Sequence, residues 1–146
     1  MIVWFTGQPG SGKSTLAAAV AATVTGLTPV IVDGDDLRQV LANPGYDRAG
    51  RERNVDRAQA IAGFLDGLGF LVLVAVVASY RAQRESFRRA AGVLEVYLYT
   101  HEERGKEAYH VAEYEAPGEG GIAIDTGRAS IETAAGLVHR ALAAVS

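Results

Sequence analysis

The chain has 146 residues, no cysteine, 49% apolar and 21% charged residues, and a formal net charge of −3. That is the length and composition of one globular domain with a proper core, and it excludes disordered, collagen-like and disulfide-stapled classes. Without cysteine there is no thiolate nucleophile, zinc finger or iron–sulfur cluster. The longest apolar run, Phe70 to Ala78, is too short to span a bilayer.

Ile2 to Thr6 reads as a buried strand, Lys13 to Val24 as an alanine-rich helix ended by Gly26, and Pro29 to Asp33 as a second strand. A short helix is expected from Asp35 to Leu41, stopped by Asn43-Pro44-Gly45. From Arg51 to Leu68 the apolar positions fall on one helical face. Phe70 to Val77 is apolar on both faces, as a central parallel strand should be. A helix from Gln83 to Ala91, a strand from Leu94 to Tyr99 and a partly helical stretch from Glu102 to Ala112 follow. Residues 115–121 read as a loop, Ile122 to Asp125 as a fifth strand, and the last helix starts near Ile131 with Ser130 as its cap. Strands alternating with helices predict an α/β fold with a five-stranded parallel sheet and helices on both faces.

Gly7-Gln8-Pro9-Gly10-Ser11-Gly12-Lys13-Ser14 matches the phosphate-loop pattern G-x-x-x-x-G-K-[ST], with a strand before it and a helix after it. Glycines let the backbone wrap phosphate oxygens and aim N–H groups at them, and the helix terminus adds a positive dipole end. Lys13 is placed to reach the β- and γ-phosphates and the Ser14 hydroxyl to ligate Mg²⁺, with Thr15 completing the loop's nucleotide contacts. A nucleoside triphosphate and Mg²⁺ are thus the expected ligands, in one phosphate-loop NTPase domain, a three-layer sandwich over residues 1–146.

No N-K-x-D segment is present to read guanine, and the third strand ends without a carboxylate. Carboxylates stand instead at the end of the second strand, Asp33-Gly34-Asp35-Asp36, followed by Arg38. Ligands of doubly wound sheets bind at the carboxyl ends of strands. Asp33 and Asp35 are therefore expected to face the γ-phosphate, one orienting Mg²⁺ and the other taking a proton from an attacking hydroxyl. An aspartate at either position also serves as a helix N-cap. Arg51, Asn54 and Arg57 recur every three residues, on neighbouring positions of one helix face, and suit an oxyanion; a solvated stripe has the same spacing. Nine arginines lie between Arg38 and Arg89, a basic middle in an acidic chain that points to an anionic ligand.

These segments, with Gly45-Tyr46, Ser79-Tyr80-Arg81, Lys106-Glu107-Ala108-Tyr109, Tyr114-Glu115-Ala116-Pro117 and Ile122 to Thr126, resemble the adenylylsulfate (APS) kinase family over nearly the whole chain. The resemblance implies phosphoryl transfer from ATP to a hydroxyl. It places Asp33 and Asp35 near metal and acceptor, Arg38, Arg51 and Asn54 around the acceptor's anionic group, and Lys106 and Tyr109 in a lid. Arg104 stands where the family's lid carries an arginine-aspartate pair, here followed by Gly105, and joins the ATP site. Tyr46, Ser79, Tyr80 and Arg81 join the acceptor side.

The lid, near residues 101–120, is shorter than the family's: Val111 to Glu113 alone separate Tyr109-His110 from Tyr114. Kinases similar to this family in bacteriophages phosphorylate the 5-hydroxymethyl group of a pyrimidine in DNA. An open acceptor site suits such a polymer, with arginines tracking its backbone and tyrosines stacking on its bases. The expected acceptor is accordingly 5-hydroxymethyluracil in phage DNA. APS, and a nucleotide-binding regulatory module without phosphotransfer, are the alternatives. With no signal peptide visible, a cytoplasmic location, no membrane partner and a homodimer are the remaining expectations.

Overall fold

The computed structural model describes residues 1–145; Ser146, the last residue of the expected domain, lies outside the described residues. The strands are β1 (Ile2–Thr6), β2 (Pro29–Asp33), β3 (Leu71–Ala75), β4 (Leu94–Tyr99) and β5 (Ile122–Asp125), and the α-helices are α1 (Lys13–Thr23), α2 (Gly34–Val40), α3 (Arg48–Gly67), α4 (Arg81–Ala91) and α5 (Ile131–Val145). The strands form one parallel sheet in the order β2-β3-β1-β4-β5. The first strand is central because each later strand adds to one side or the other, and this is where the sheet order reverses. The phosphate loop leaves the sheet at that point.

The period of two along β1 and β3 divides the core. Val3, Phe5, Leu71 and Leu73 face α1 and α5, where Leu16, Val20, Val138 and Leu142 cover them. Ile2, Trp4, Val72 and Val74 face the other way, against Val55, Ala58 and Ala62 of α3 and Phe87 of α4. Both faces of the central strands are apolar because both are covered. Among the described residues no helix is long and apolar enough to cross a membrane.

Several boundaries differ from the sequence reading, α4 for one starting at Arg81 and not at Gln83, and three of the differences have identifiable reasons. Strand β3 stops at Ala75, where its pairing with Phe5 and Asp33 ends, and not at Val77. Beyond it the carbonyls of Val76 and Val77 turn to side chains, accepting from Trp4 Nε1 at 3.1 Å and Thr6 Oγ1 at 2.6 Å. Helix α3 begins at Arg48 because the Asp47 carboxylate accepts the Gly50 amide at 2.8 Å. This N-cap precedes the first periodic position by several residues. The stretch 102–112 holds one 3₁₀ turn, Glu107–Tyr109. Gly105, at φ +80°, interrupts it, and no apolar stripe packs it on the sheet. Ser130 caps α5 as expected, its hydroxyl accepting the Thr133 amide.

Candidate active site

The chain between β1 and α1 closes on itself through Ser11 N–H donating to the Gln8 carbonyl at 3.1 Å. Gly10 at φ +84° and Gly12 at φ +103° adopt left-handed conformations that L side chains resist. A side chain at Gly7 would collide with the Leu98 carbonyl of β4. Lys13 folds back over the loop, donating from Nζ to the carbonyls of Gly7 at 3.0 Å and Gln8 at 2.9 Å. Burial lowers its pKa from 10.5 to about 8, against the opposing pull of Asp33 and Asp35; Lys106 adds to the lowering.

The Ser14 hydroxyl donates to Asp33 Oδ2 at 2.6 Å, and Asp33 Oδ1 accepts the Asp35 amide at 2.9 Å. Asp33 therefore caps α2 with one oxygen and meets the Ser14 hydroxyl of the phosphate loop with the other. Asp35, in the first turn of α2, lines the cavity with its carboxylate exposed. A hydroxyl beside one carboxylate is an oxygen donor set of the kind Mg²⁺ takes with phosphate and water completing its shell. Ser14 and Asp33 thus fit a Mg²⁺ held jointly with a bound nucleotide. Among the described residues no cluster of three or more His, Asp or Glu forms a cage of its own.

A cavity of about 1750 Å³ opens over this loop. Pro9, Gly10, Gly12, Lys13, Ser14 and Thr15 line it at one end, together with Arg104; Gly7, Gln8 and Ser11 lie outside its lining. Arg104 is fastened across the loop, donating to Gly10 O at 3.2 Å, Thr126 Oγ1 at 3.1 Å and Thr126 O at 2.9 Å.

The far end gathers Arg38, Tyr46, Arg51, Asn54, Ser79 and Tyr80. Helix α3 supplies Arg51 and Asn54 one turn apart, so both meet the end of β3. Arg51 donates to Tyr46 O at 2.7 Å and Tyr80 Oη at 3.1 Å, with Glu113 at 3.5 Å. Arg38 donates to Gly45 O and lies 4.1 Å over the Tyr46 ring, and Arg48 lies 4.1 Å over Tyr80. Both placements are cation–π contacts. Burial lowers the Arg38 pKa, with Tyr46 and Asp35 pulling it back up and Arg51 lowering it further. Asn54 Oδ1, Ser79 Oγ and Arg51 Nε are buried without hydrogen-bond partners. Three unpaired polar atoms on one wall are what a bound polar group would satisfy.

Lys106 and Tyr109 line the cavity from the segment after Arg104, Tyr109 being 73% exposed.

Two expected residues fall elsewhere. Arg81 points away from the cavity and fastens the loop after the lid, donating to Ala116 O at 3.0 and 2.6 Å. Its place just inside α4 turns it outward, whereas Tyr80, the cap residue before it, faces in. Arg57 of the α3 stripe also misses the cavity, reaching toward Leu41 O at 3.5 Å. Six residues after Arg51 it is turned about 120° around the helix axis, away from Val55 and Ala58, which pack on the sheet.

Sequence patterns did not disclose the supports. Tyr114 Oη meets Thr6 Oγ1 at 2.9 Å, its ring stacks on Tyr97 at 6.0 Å, and burial pushes its pKa up to about 12. Glu113 touches Arg51 and Tyr80. No spacing rule links such positions. The one available signal was the resemblance, which includes Tyr114-Glu115-Ala116-Pro117 without giving Tyr114 a role.

Residues 1–132 match the family model described as adenylylsulphate kinase. The adenylyl-sulfate kinase of Aeromonas salmonicida is 39% identical over 63% of this chain and 48% of its own length; that of a Synechococcus strain is 41% identical over 66% and 57%. The chain thus spans about half the length of the curated relatives it matches. The structure of the Mycobacterium tuberculosis APS kinase CysC, in complex with AMPPNP and APS, superposes with a TM-score of 0.86 at 27% identity, covering 97% of this chain and 96% of that one. A hexameric APS kinase from Thiobacillus denitrificans matches with a TM-score of 0.77 at 30% identity, over 98% of this chain and 28% of that one. With the family model spanning all five strands and the phosphate loop in its expected setting, the chain belongs to the adenylylsulphate kinase family.

Proposed function

We propose that this protein is an ATP-dependent kinase whose acceptor is the 3′-hydroxyl of APS. The observation that carries this reading is the continuity of the cavity: one space joins the phosphate loop to the arginine-lined end under Tyr46 and Tyr80. A donor phosphate at one end and an acceptor hydroxyl at the other can therefore meet in line between Lys13 and the two aspartates.

In this reading Lys13 leaves the Gly7 and Gln8 carbonyls to neutralise charge on the terminal phosphate. Mg²⁺, held by Ser14 and Asp33, supplies further charge neutralisation when bound. Asp35 takes the acceptor's proton, since Asp33 is already committed to Ser14 and the α2 amide. Arg38, Arg51 and Asn54 hold the acceptor's anionic group, and the exposed rings of Tyr46 and Tyr109 flank its base.

The relatives matched are adenylyl-sulfate kinases, and one superposed structure holds APS beside a nucleotide. Hydroxymethylated DNA, the acceptor expected from the short lid, gains no support from these relatives, and a net charge of −3 disfavours a polyanion. The test is an acceptor screen with labelled ATP, offering APS and hydroxymethyluracil-containing DNA side by side. Label in 3′-phospho-APS supports the proposal; label in DNA alone overturns it.

A further inference from the structure

We infer that Gln8 is a positioning residue that latches the lid to the phosphate loop. This rests on the kinase reading above and assigns a role to a side chain that the phosphate-loop pattern leaves unspecified.

The Gln8 side chain forms a matched pair with the backbone of Val111: Nε2 donates to Val111 O at 2.8 Å, and Oε1 accepts from Val111 N at 2.8 Å. An amide that satisfies both backbone groups of one residue imitates a strand pairing, and it fixes position and orientation together. The flanking anchors of the lid lie outside this stretch. Arg104 is tied to Gly10 and Thr126 before it, and Glu113 to Tyr80 and Tyr114 to Thr6 after it. Between them the chain carries Gly105 at φ +80° and a single 3₁₀ turn. That is too little regular structure to hold its own shape.

That stretch carries the cavity's roof. Lys106 lies against the phosphate loop so closely that a Cβ built on Gly10 would meet its Cβ at 3.3 Å, and its charge is near enough to repel Lys13. In the ligand-free protein Gln8 thus bears on two of the three cations at the phosphate end, Arg104 being the third. Its carbonyl accepts Lys13 Nζ at 2.9 Å, and its side chain holds the segment that bears Lys106. Its side chain is outside the cavity lining, so it acts through these neighbours and not by contact with substrate.

Loss of the latch lowers the fraction of molecules whose roof is in place, and a ligand must then spend affinity to restore it. Binding constants weaken while the rate at saturation survives. The experiment compares wild type with Gln8→Leu, and with Gln8→Asn should the first fail to fold, in three measurements. These are amide hydrogen exchange of the ligand-free protein, equilibrium ATP binding, and steady-state kinetics with ATP and APS.

The expected result is at least tenfold faster exchange across residues 105–112, with the Ser11 amide unchanged. ATP affinity and KM for ATP should weaken roughly tenfold, with kcat within threefold of wild type. Unchanged exchange overturns the latch. Faster exchange with unchanged ATP affinity overturns the positioning role. A wild type that binds ATP but leaves APS unphosphorylated refutes the acceptor assignment alone, and exchange together with ATP affinity still decides for or against Gln8.

Discussion

Asp33 accepts the Ser14 hydroxyl on one carboxylate oxygen and the Asp35 amide on the other, so a single side chain joins the phosphate loop to the start of α2. Cap and chemistry can be separated by substitution. Asparagine caps helices about as well as aspartate, so Asp33→Asn should keep the fold, with the melting temperature close to wild type. If Asp33 serves the proposed kinase site, losing its charge should lower kcat by about 100-fold or more and raise the Mg²⁺ concentration needed for half-maximal rate. Asp33→Ala should add a stability loss of about 1 kcal/mol, read by chemical denaturation. Equal stability of the Asn and Ala variants would show that the cap contributes nothing.

Lys13 makes a pH-dependent prediction of unusual sign. Its folded pKa, about 8, lies below the unfolded value of 10.5 because burial disfavours the ammonium. Between those values the unfolded chain binds more protons, so the lysine's unfavourable contribution is full below the folded value and is relieved as pH rises toward the unfolded one. Lys13→Met should abolish turnover yet fold. Its stability relative to wild type should be highest near neutral pH and decline steadily up to the unfolded pKa, by no more than about 3 kcal/mol in total. Melting curves of both proteins across that range check it. A difference that grows with pH would contradict the buried, charged lysine. The wild-type kcat/KM for ATP should fall as pH rises through about 8, as the cation is lost.

The split of the cavity predicts which substrate suffers when Arg51 changes. Its guanidinium is held by Tyr46 O and Tyr80 Oη at the far end from the phosphate loop. Arg51→Ala should raise KM for APS by about tenfold or more and leave KM for ATP within about twofold. Arg51→Lys should recover little, because an ammonium cannot reproduce the fork that meets two acceptors and a ligand together. Equal loss for both substrates in initial-rate measurements would refute the division into donor and acceptor ends.

The scaffold and the phosphate end were legible in the sequence because both rest on local rules. An apolar run bounded by glycine makes a strand, and the glycine spacing of residues 7–14 makes the loop whatever lies around it. Asp33 was legible for a related reason, since a strand end beside that loop leaves an aspartate few other places to point. The acceptor end was only partly legible. Arg51 and Asn54 share a helix face, but two steps of three residues turn Arg57 about 120° from Arg51, off the face that α3 packs on the sheet. Arg81 and Tyr80 are chain neighbours with opposite fates because the α4 cap falls between them. The ties of Gln8 to Val111 and Tyr114 to Thr6 span more than a hundred residues, and no pattern within one segment encodes a pairing at that separation.

The loop that carries Ser79 and Tyr80 into the cavity depends on Arg84, and this gives a stability prediction. Arg84 is buried on α4, donating to Ala78 O and to Glu115 O at 2.6 Å, with Glu95 of β4 at 3.5 Å and equally buried. Ala78 stands at φ +50°, a conformation a non-glycine residue keeps only when its surroundings enforce it. Arg84→Ala removes that enforcement, orphans two carbonyls and leaves the Glu95 carboxylate buried without its counter-charge. The cost should be about 3–5 kcal/mol in urea unfolding. Glu95→Gln should cost less, about 2 kcal/mol, because the guanidinium it strands keeps both carbonyls as partners and loses only an ion pair at 3.5 Å. Arg84→Met combined with Glu95→Leu should be more stable than Arg84→Ala, since no charge is then stranded in the core. Were Glu95→Gln to cost as much as Arg84→Ala, the ion pair and not the two carbonyls would be what holds the acceptor loop.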